Sequence, residues 1–452
     1  MSKNKTIDFL IFYEVKNREF ESIVMLKNEL CKRGYKVKYY SFYDLDNKRK
    51  IQTLRNRVKV AVMPSLYHDQ EILNITYSVA GITDKIVNLR WEQVYRNRVE
   101  TEFDSYMYPK ETAMKAYHCC WGSRPLELYK QAGICDNRLK IVGPMQMDLL
   151  LPQYQRYYLS REQLFDEYDI PKNKPVILFI SSFTIGTFDD ADADNYLMQF
   201  NEVERACLKR FYKCEKKSRI KICEWLTRLA SEKDCTIIYR PHPVEESTKE
   251  IKELQAVPNI RIISELNIKQ WILSCDQVYS WYSTSFAEAY EAKVPCYVLR
   301  PEIIEIGEDL PIYSGLSFID EYSEFSSTFD ACMLKEKTDI VNYPVIDTYY
   351  SIDPEYPSYR RVADYLEDIL RNGDIFCWND IDTLKRIKSR LNNKKRFFKN
   401  SLYGCNSKII RRIFGNRIAE YEKQMESNRT KIITDEQFIQ MEAIMKSLTD
   451  DN

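Results

Sequence analysis

The chain has 452 residues, 67 basic against 67 acidic side chains and no formal net charge. That length exceeds one ordinary core and fits two domains of roughly 150 to 200 residues plus an addition, while the charge balance excludes a global field for nucleic acid or an acidic membrane. No apolar run approaches the roughly 20 residues of a spanning helix, and the thirteen cysteines, odd in number and without a C-x-x-C pair, read as reduced thiols of a cytoplasmic protein rather than as a disulfide framework.

In chain order, the apolar run before Glu14 is too short for a signal segment and predicts a first strand, IDFLIFYE. A helix near 18–33 follows, then strands at YKVKYYSF, VKVAVMPSLYH, KIVNLRWEQ and AYHCCWG, a helix after Ser123 and a strand at LKIVGP. This alternation predicts βα units around a parallel sheet. Prolines and charge place a boundary within 150–173. A second series opens at PVILFISSFT, passes the acidic stretch DDADAD (189–194), read as a solvated loop rather than a metal site, and a long helix near 201–231. It then reaches strands at CTIIYR, NIRIIS, CDQVYSWYS and PCYVLRP. The expected division is 1–155, a Rossmann-like domain; 170–340, a second Rossmann-like domain; 341–375, a crossover helix; and 376–452, a basic helical appendage. Between Lys385 and Arg417 there are twelve Lys/Arg and no Asp/Glu. Read plainly this is a solvated helical face. Read with Phe397, Phe398, Ile409, Ile410, Ile413 and Phe414 as its apolar element, it is an amphipathic segment for an anionic membrane surface or a lipid-linked substrate.

Three stretches carry chemistry. In TIIYRPHPVEES a strand delivers Arg240 and His242 to the carboxyl end of the second sheet, where open parallel sheets bind ligands. Prolines on both sides stiffen His242, and guanidinium with imidazole suits a phosphate; taken alone, the stretch is also a rigid turn whose His caps the next helix. In YSWYSTSFAEAYE, Ser283, Thr284 and Ser285 precede a helix with Glu288 one turn in. Ser285 and Glu288 have capping-box spacing, and the same hydroxyls and exposed N–H groups make an anion site that leaves Glu288 for a ribose. In ILFISSFT, Ser182 ends a strand in a loop open to close backbone approach. Only three histidines are present, and His118, inside an apolar strand, reads as a core residue.

Together these stretches resemble the donor half of GT-B glycosyltransferases of the bacterial surface-carbohydrate group, which includes capsule polymerases, polysialyltransferases with a His-Pro motif and CDP-glycerol glycerophosphotransferases. YHCCWGSRPLELYKQAGICDNRLKIVGPMQMD (117–148) and NLRWEQV (88–94) add to the likeness, which spans roughly 55–300. The chain departs from it in having Trp281-Tyr282-Ser283-Thr284-Ser285 where the glycerophosphotransferases carry Asp-Tyr-Ser-Ser, and in lacking an acidic-acidic-Gly motif. The resemblance implies two doubly wound domains facing a cleft, with a C-terminal helical appendage. It implies a metal-independent transfer from a nucleotide-sugar, CMP- or UDP-linked, to a surface glycan or lipid-linked acceptor, with no resident cofactor and no nucleic-acid partner. The base candidates are Glu92, desolvated by Trp91, then His68 and Asp69. The expected location is the cytoplasm, with a peripheral position on the inner membrane face as the alternative. A CDP-polyol phosphotransferase and a non-catalytic nucleotide- or glycan-binding subunit are the competing readings; the acidic, His-rich pattern of a sugar-nucleotide 2-epimerase is not seen.

Overall fold

The computed structural model describes residues 6–44, 54–55, 57–102, 107–334, 343–403 and 408–449. The chain divides into two units. The first comprises Met1–Gln93, Glu102–Asp148 and Thr348–Asn452; the second comprises Val94–Thr101 and Leu149–Asp347.

The first unit holds β1 (Ile7–Tyr13), α1 (Lys16–Lys32), β2 (Val37–Ser41), β3 (Val58–Met63), β4 (Lys85–Asn88), β5 (Tyr117–Cys120), α2 (Ser123–Gln131) and β6 (Leu139–Ile141). The strands form one sheet in the order β2-β1-β3-β4-β5-β6. Every pairing is parallel. Strands rich in Val and Ile, such as VKVAVM in β3, are buried almost without alternation, as a parallel sheet covered on both faces requires. His118 sits fully buried on β5, its Nδ1 3.1 Å from the Asn88 amide. Burial drives its pKa down to about 3, so it is a neutral core residue.

The second unit holds β7 (Val176–Ile180), α3 (Glu202–Glu232), β8 (Thr236–Arg240), α4 (Lys249–Gln255), β9 (Ile260–Ile262), β10 (Gln277–Ser280), α5 (Ser285–Glu291) and β11 (Cys296–Val298). Its sheet runs β11-β10-β7-β8-β9, again parallel throughout. One core lies between this sheet and α3, through Phe179, Tyr239, Ile222 and Leu226. The other lies on the opposite face, through Leu178, Ile238, Trp271 and Val278. Three local expectations change here. DDADAD is not a loop: Asp189 caps a helix, Asp190–Leu197, by accepting from the Asp192 N–H. Helix α4 is capped by Thr248, not His242. Ser285 and Glu288 form no capping box, because α5 starts one residue earlier, with Thr284 at its N-cap and no side-chain bond to it.

After Thr348 the chain belongs to the first unit, through α6 (Ser358–Asn372), α7 (Thr383–Tyr403) and α8 (Asp435–Thr449). Asp148 receives α6, accepting N–H bonds from Ser358 (2.9 Å) and Tyr359 (2.8 Å) at its first turn. The approach is close: a Cβ on Gly143 (φ +77°) would lie 2.5 Å from the Ser351 carbonyl oxygen, so both the backbone conformation and the space demand glycine. The C-terminal helical residues pack on the first unit. Helix α8 lies on α1, with Phe438 stacked on Tyr39 at 3.8 Å between ring centroids, Lys27 paired to Glu442 at 3.1 Å and the Ile433 N–H bonded to Tyr13 Oη at 2.9 Å. The side chains of Ile409, Ile410 and Ile413 lie outside the described residues. The twelve described cysteines are all free thiols. Among the described residues no helix is long and apolar enough to cross a membrane.

Candidate functional site

In an open parallel sheet a ligand binds outside the carboxyl ends of the strands, where the strand order reverses. In the second unit that reversal lies between β7 and β10, the neighbours from which the connections diverge. The loops leaving these two strands are the serine-rich stretches. Ser182 Oγ accepts the Tyr282 N–H at 3.0 Å, tying the loops together across the reversal. Tyr313 Oη holds the next residue twice, accepting from Ser283 N–H and donating to its carbonyl, both at 2.8 Å. Ser283 Oγ accepts from the Ser285 N–H at 3.2 Å, and Thr284 is exposed. Behind the loop the buried Arg300 pairs with Asp309 at 2.6 Å and packs against the rings of Trp281, Tyr282 and Tyr313, so the hydroxyl rim rests on an aromatic base.

Beside it β8 presents the Pro-His-Pro turn. Glu245, three residues beyond His242, organises it: one carboxylate oxygen accepts from the His242 N–H (2.9 Å) and Ser181 Oγ (2.5 Å), the other from Tyr239 Oη. Burial raises the Glu245 pKa against these bonds. The imidazole of His242 is half-buried, and its Nδ1 accepts weakly from the Val244 N–H at 3.4 Å. The proton of the neutral ring then sits on Nε2, and burial lowers the His242 pKa, which favours that neutral form. The turn thus offers one N–H donor at the rim.

Two donor-site candidates have other employment. The Arg240 guanidinium is bonded to the carbonyls of Ile263, Glu265 and Leu266, where it fixes the loop after β9. Glu288 is not free for a ribose: its buried carboxylate pairs with the equally buried Lys269 at 2.8 Å. Ser182, His242, Ser283, Thr284 and Ser285 are the candidates that share the rim.

The first loop of this rim is supported from α3. Glu215, fully buried, accepts the Thr184 N–H. Its approach is possible because residue 186 is glycine; a Cβ there would lie 2.5 Å from Glu215 Cγ. Burial pushes the Glu215 pKa up to about 7. One turn along, Arg219 bonds Thr248 Oγ1 at 2.6 Å and pairs with Glu250.

In the first unit the strand order reverses between β1 and β3. Arg90, at φ +52°, follows β4 and turns Trp91 into the core, 3% exposed, while the Glu92 side chain stands 62% exposed and ion-paired to Arg18. Trp91 therefore does not desolvate Glu92. Arg18 also pairs with the buried Glu19 at 2.8 Å, whose carboxylate accepts the N–H of Glu14 (2.9 Å) at the end of β1. Burial raises the pKa of Glu14, a half-buried carboxyl that electrostatically couples to both Arg18 and Glu92. Asp69 is a strut rather than a base: it is buried and accepts the Thr112 N–H at 2.9 Å. His68 is half-buried, its N–H bonded to Glu71 at 2.6 Å. A cavity of about 410 Å³ lies elsewhere, between Met114, Cys135, Arg138 and Phe376. Its walls include the turns that precede β5 and β6, the wrong strand ends for this chemistry. Among the described residues no group of three or more His, Cys, Asp or Glu could hold a metal ion.

No family model and no curated protein matches the sequence. Solved structures do match. A variant of the wall teichoic acid polymerase TagF aligns at 12% identity with a TM-score of 0.52, covering 82% of this chain and 90% of that one. A second TagF variant, soaked with CDPG, aligns at 13% and 0.50, covering 82% and 89%. A Listeria monocytogenes protein assigned as a UDP-N-acetylglucosamine 2-epimerase aligns at 11% and 0.50, covering 82% and 98%. The fold is GT-B. As a GT-B chain it has its two parallel sheets where the alternation of apolar strands and amphipathic helices placed them. Sequence reading missed Glu245, Tyr313, Lys269, Glu215 and Glu14. For Glu245 a signal exists, an acidic residue three positions after the Pro-His pair; for Tyr313 and Lys269, distant in sequence from their partners, none does.

Proposed function

We propose that this chain is a glycosyltransferase that moves a sugar from a CMP- or UDP-linked donor to a surface glycan or lipid-linked acceptor without a metal ion. The observation that carries the reading is the rim at the β7/β10 reversal, where the Ser182 and Ser283–Ser285 loops stand beside the Nε2 donor of His242. A leaving phosphate accumulates charge as the glycosidic bond breaks, and preoriented hydroxyl and imidazole N–H donors stabilise that charge without rearranging. His242 does so as a neutral donor, and Glu245 is the positioning residue that sets its turn. Glu92 is the proposed base for the acceptor hydroxyl, with Arg18 orienting its carboxylate; His68 ranks second, and the buried Asp69 is placed last by its bond to Thr112.

The test is a thermal-shift series with CMP, CDP, UDP and GDP, since a ligand bound only by the folded state raises the melting temperature by mass action. Stabilisation by a cytidine or uridine nucleotide, lost in His242→Ala, is the expected result; no shift with any of the four would sink the proposal. A second reading, transfer of a polyol phosphate from a CDP-linked donor, is favoured by the likeness to a polymerase whose structure includes a CDPG soak. Turnover of a CDP-polyol with the polyol phosphate recovered on the acceptor and CMP released, and no turnover of a CMP- or UDP-linked sugar, would establish that reading in place of sugar transfer.

A further inference from the structure

Helix α7 has two working faces. Its inner face is fixed to the first unit: Ser389 Oγ donates to the Leu73 carbonyl at 3.3 Å, Arg390 stacks over the Tyr77 ring at 5.5 Å, Phe397 packs against the core cluster of that unit and Tyr403 is buried. Its outer face is apolar and, among the described residues, uncovered. Leu384, Ile387, Leu391 and Phe398 are 74%, 49%, 53% and 71% exposed. At 3.6 residues per turn these positions fall within an arc of about 60°, so they form one stripe along the helix rather than scattered surface residues. Lys388 and Lys395 flank the stripe on one side and Lys394 on the other, all exposed. Among the described residues none of the three pairs with a carboxylate.

We infer that this face of α7 docks the protein on an anionic phospholipid bilayer, lying in the plane of the surface with Leu384, Ile387, Leu391 and Phe398 inserted and Lys388, Lys394 and Lys395 at the phosphate level. The length fits, since 21 residues span about 31 Å at 1.5 Å per residue. The charge selects the occupant. A second copy of the chain laid antiparallel on this face would bring two rows of unpaired lysines together, where like charges repel, whereas an anionic surface neutralises both flanks while the stripe leaves water. The inference is independent of the catalytic proposal, because α7 carries none of the rim residues.

The full chain is sedimented with vesicles of phosphatidylcholine alone and of phosphatidylcholine mixed with phosphatidylglycerol. Binding is expected only to the mixed vesicles and is expected to fall in high salt, which screens exposed charges. Lys388→Glu/Lys394→Glu/Lys395→Glu lowers partitioning at least tenfold, since each basic residue near an anionic surface contributes a factor of about five. Leu384→Ser/Leu391→Ser/Phe398→Ser removes it to a similar degree. Both sets change exposed side chains, and the melting temperature reports folding; should the serine variant fail to fold, the charge reversal decides. Wild-type partitioning in the folded variants overturns the inference, as does equal binding to neutral vesicles. So does a concentration-dependent dimer, seen by sedimentation velocity, that the serine variant dissolves.

Discussion

The two units carry the same kind of strand reversal and dress it differently. Near the first unit's reversal the rim is charged: Arg18 pairs with the buried Glu19 and with Glu92, whose side chain faces water, and the N–H of the half-buried Glu14 bonds to Glu19. The second rim is built of hydroxyls and backbone groups, and the carboxylates Glu245 and Glu215 are turned inward to hold its loops. A group that must take up a proton needs access to it, and a group that stabilises a leaving phosphate must stay where it is while charge develops. On the proposed function, the first rim suits the former task and the second rim the latter.

The comparison can be broken at its charged side first. Glu92→Gln is expected to lower kcat by about 10²- to 10⁴-fold while leaving nucleotide thermal shifts intact; full turnover in this variant moves the base elsewhere, with Glu14 the next residue to change. His242→Ala should cost about 10²- to 10³-fold in kcat and abolish the nucleotide-dependent shift, with little change in the melting temperature of the free protein. Arg240→Ala will behave differently from His242→Ala, because three carbonyls of the loop after β9 lose their donor; a lower melting temperature without nucleotide is the measurement that separates the two. Gly186→Ala puts a Cβ into the Glu215 side chain and should destabilise by about 1–3 kcal/mol, read from denaturant midpoints.

The smallest effect is in the pH dependence. Glu215 has its pKa raised by burial from 4.5 to about 7, so the folded chain holds a proton that the unfolded chain releases. Its contribution to stability is complete below about pH 4.5 and is lost as pH rises through 7. Glu215→Gln keeps an acceptor for the Thr184 N–H and removes the titration. The variant should therefore gain on the wild type in melting temperature between pH 5 and pH 8; parallel curves would mean that Glu215 does not titrate in that window.

What the sequence made legible follows from the range of the interactions involved. Each predicted strand is a local run of apolar residues, and all eleven form. The Pro-His-Pro turn and the hydroxyl loops were readable because their chemistry is written in adjacent residues. The roles of Arg240 and Glu288 were not, since their partners, the carbonyls at 263–266 and Lys269, are set by tertiary packing. The same holds for Trp91: a neighbour in sequence, it is carried into the core by the left-handed turn at Arg90 and leaves Glu92 in water.

The packing of α8 against α1 has a consequence for the order in which the polypeptide acquires its shape. Residues 149–347 supply nearly all of the second unit and leave the ribosome as an almost complete folding unit, at about 5–20 residues per second. The first sheet is synthesised earlier, yet α1 and Tyr39 wait for Phe438 and Glu442 to arrive some four hundred residues later. During synthesis the amino-terminal half therefore leaves part of the apolar face of α1 without its cover until the last helix has been made.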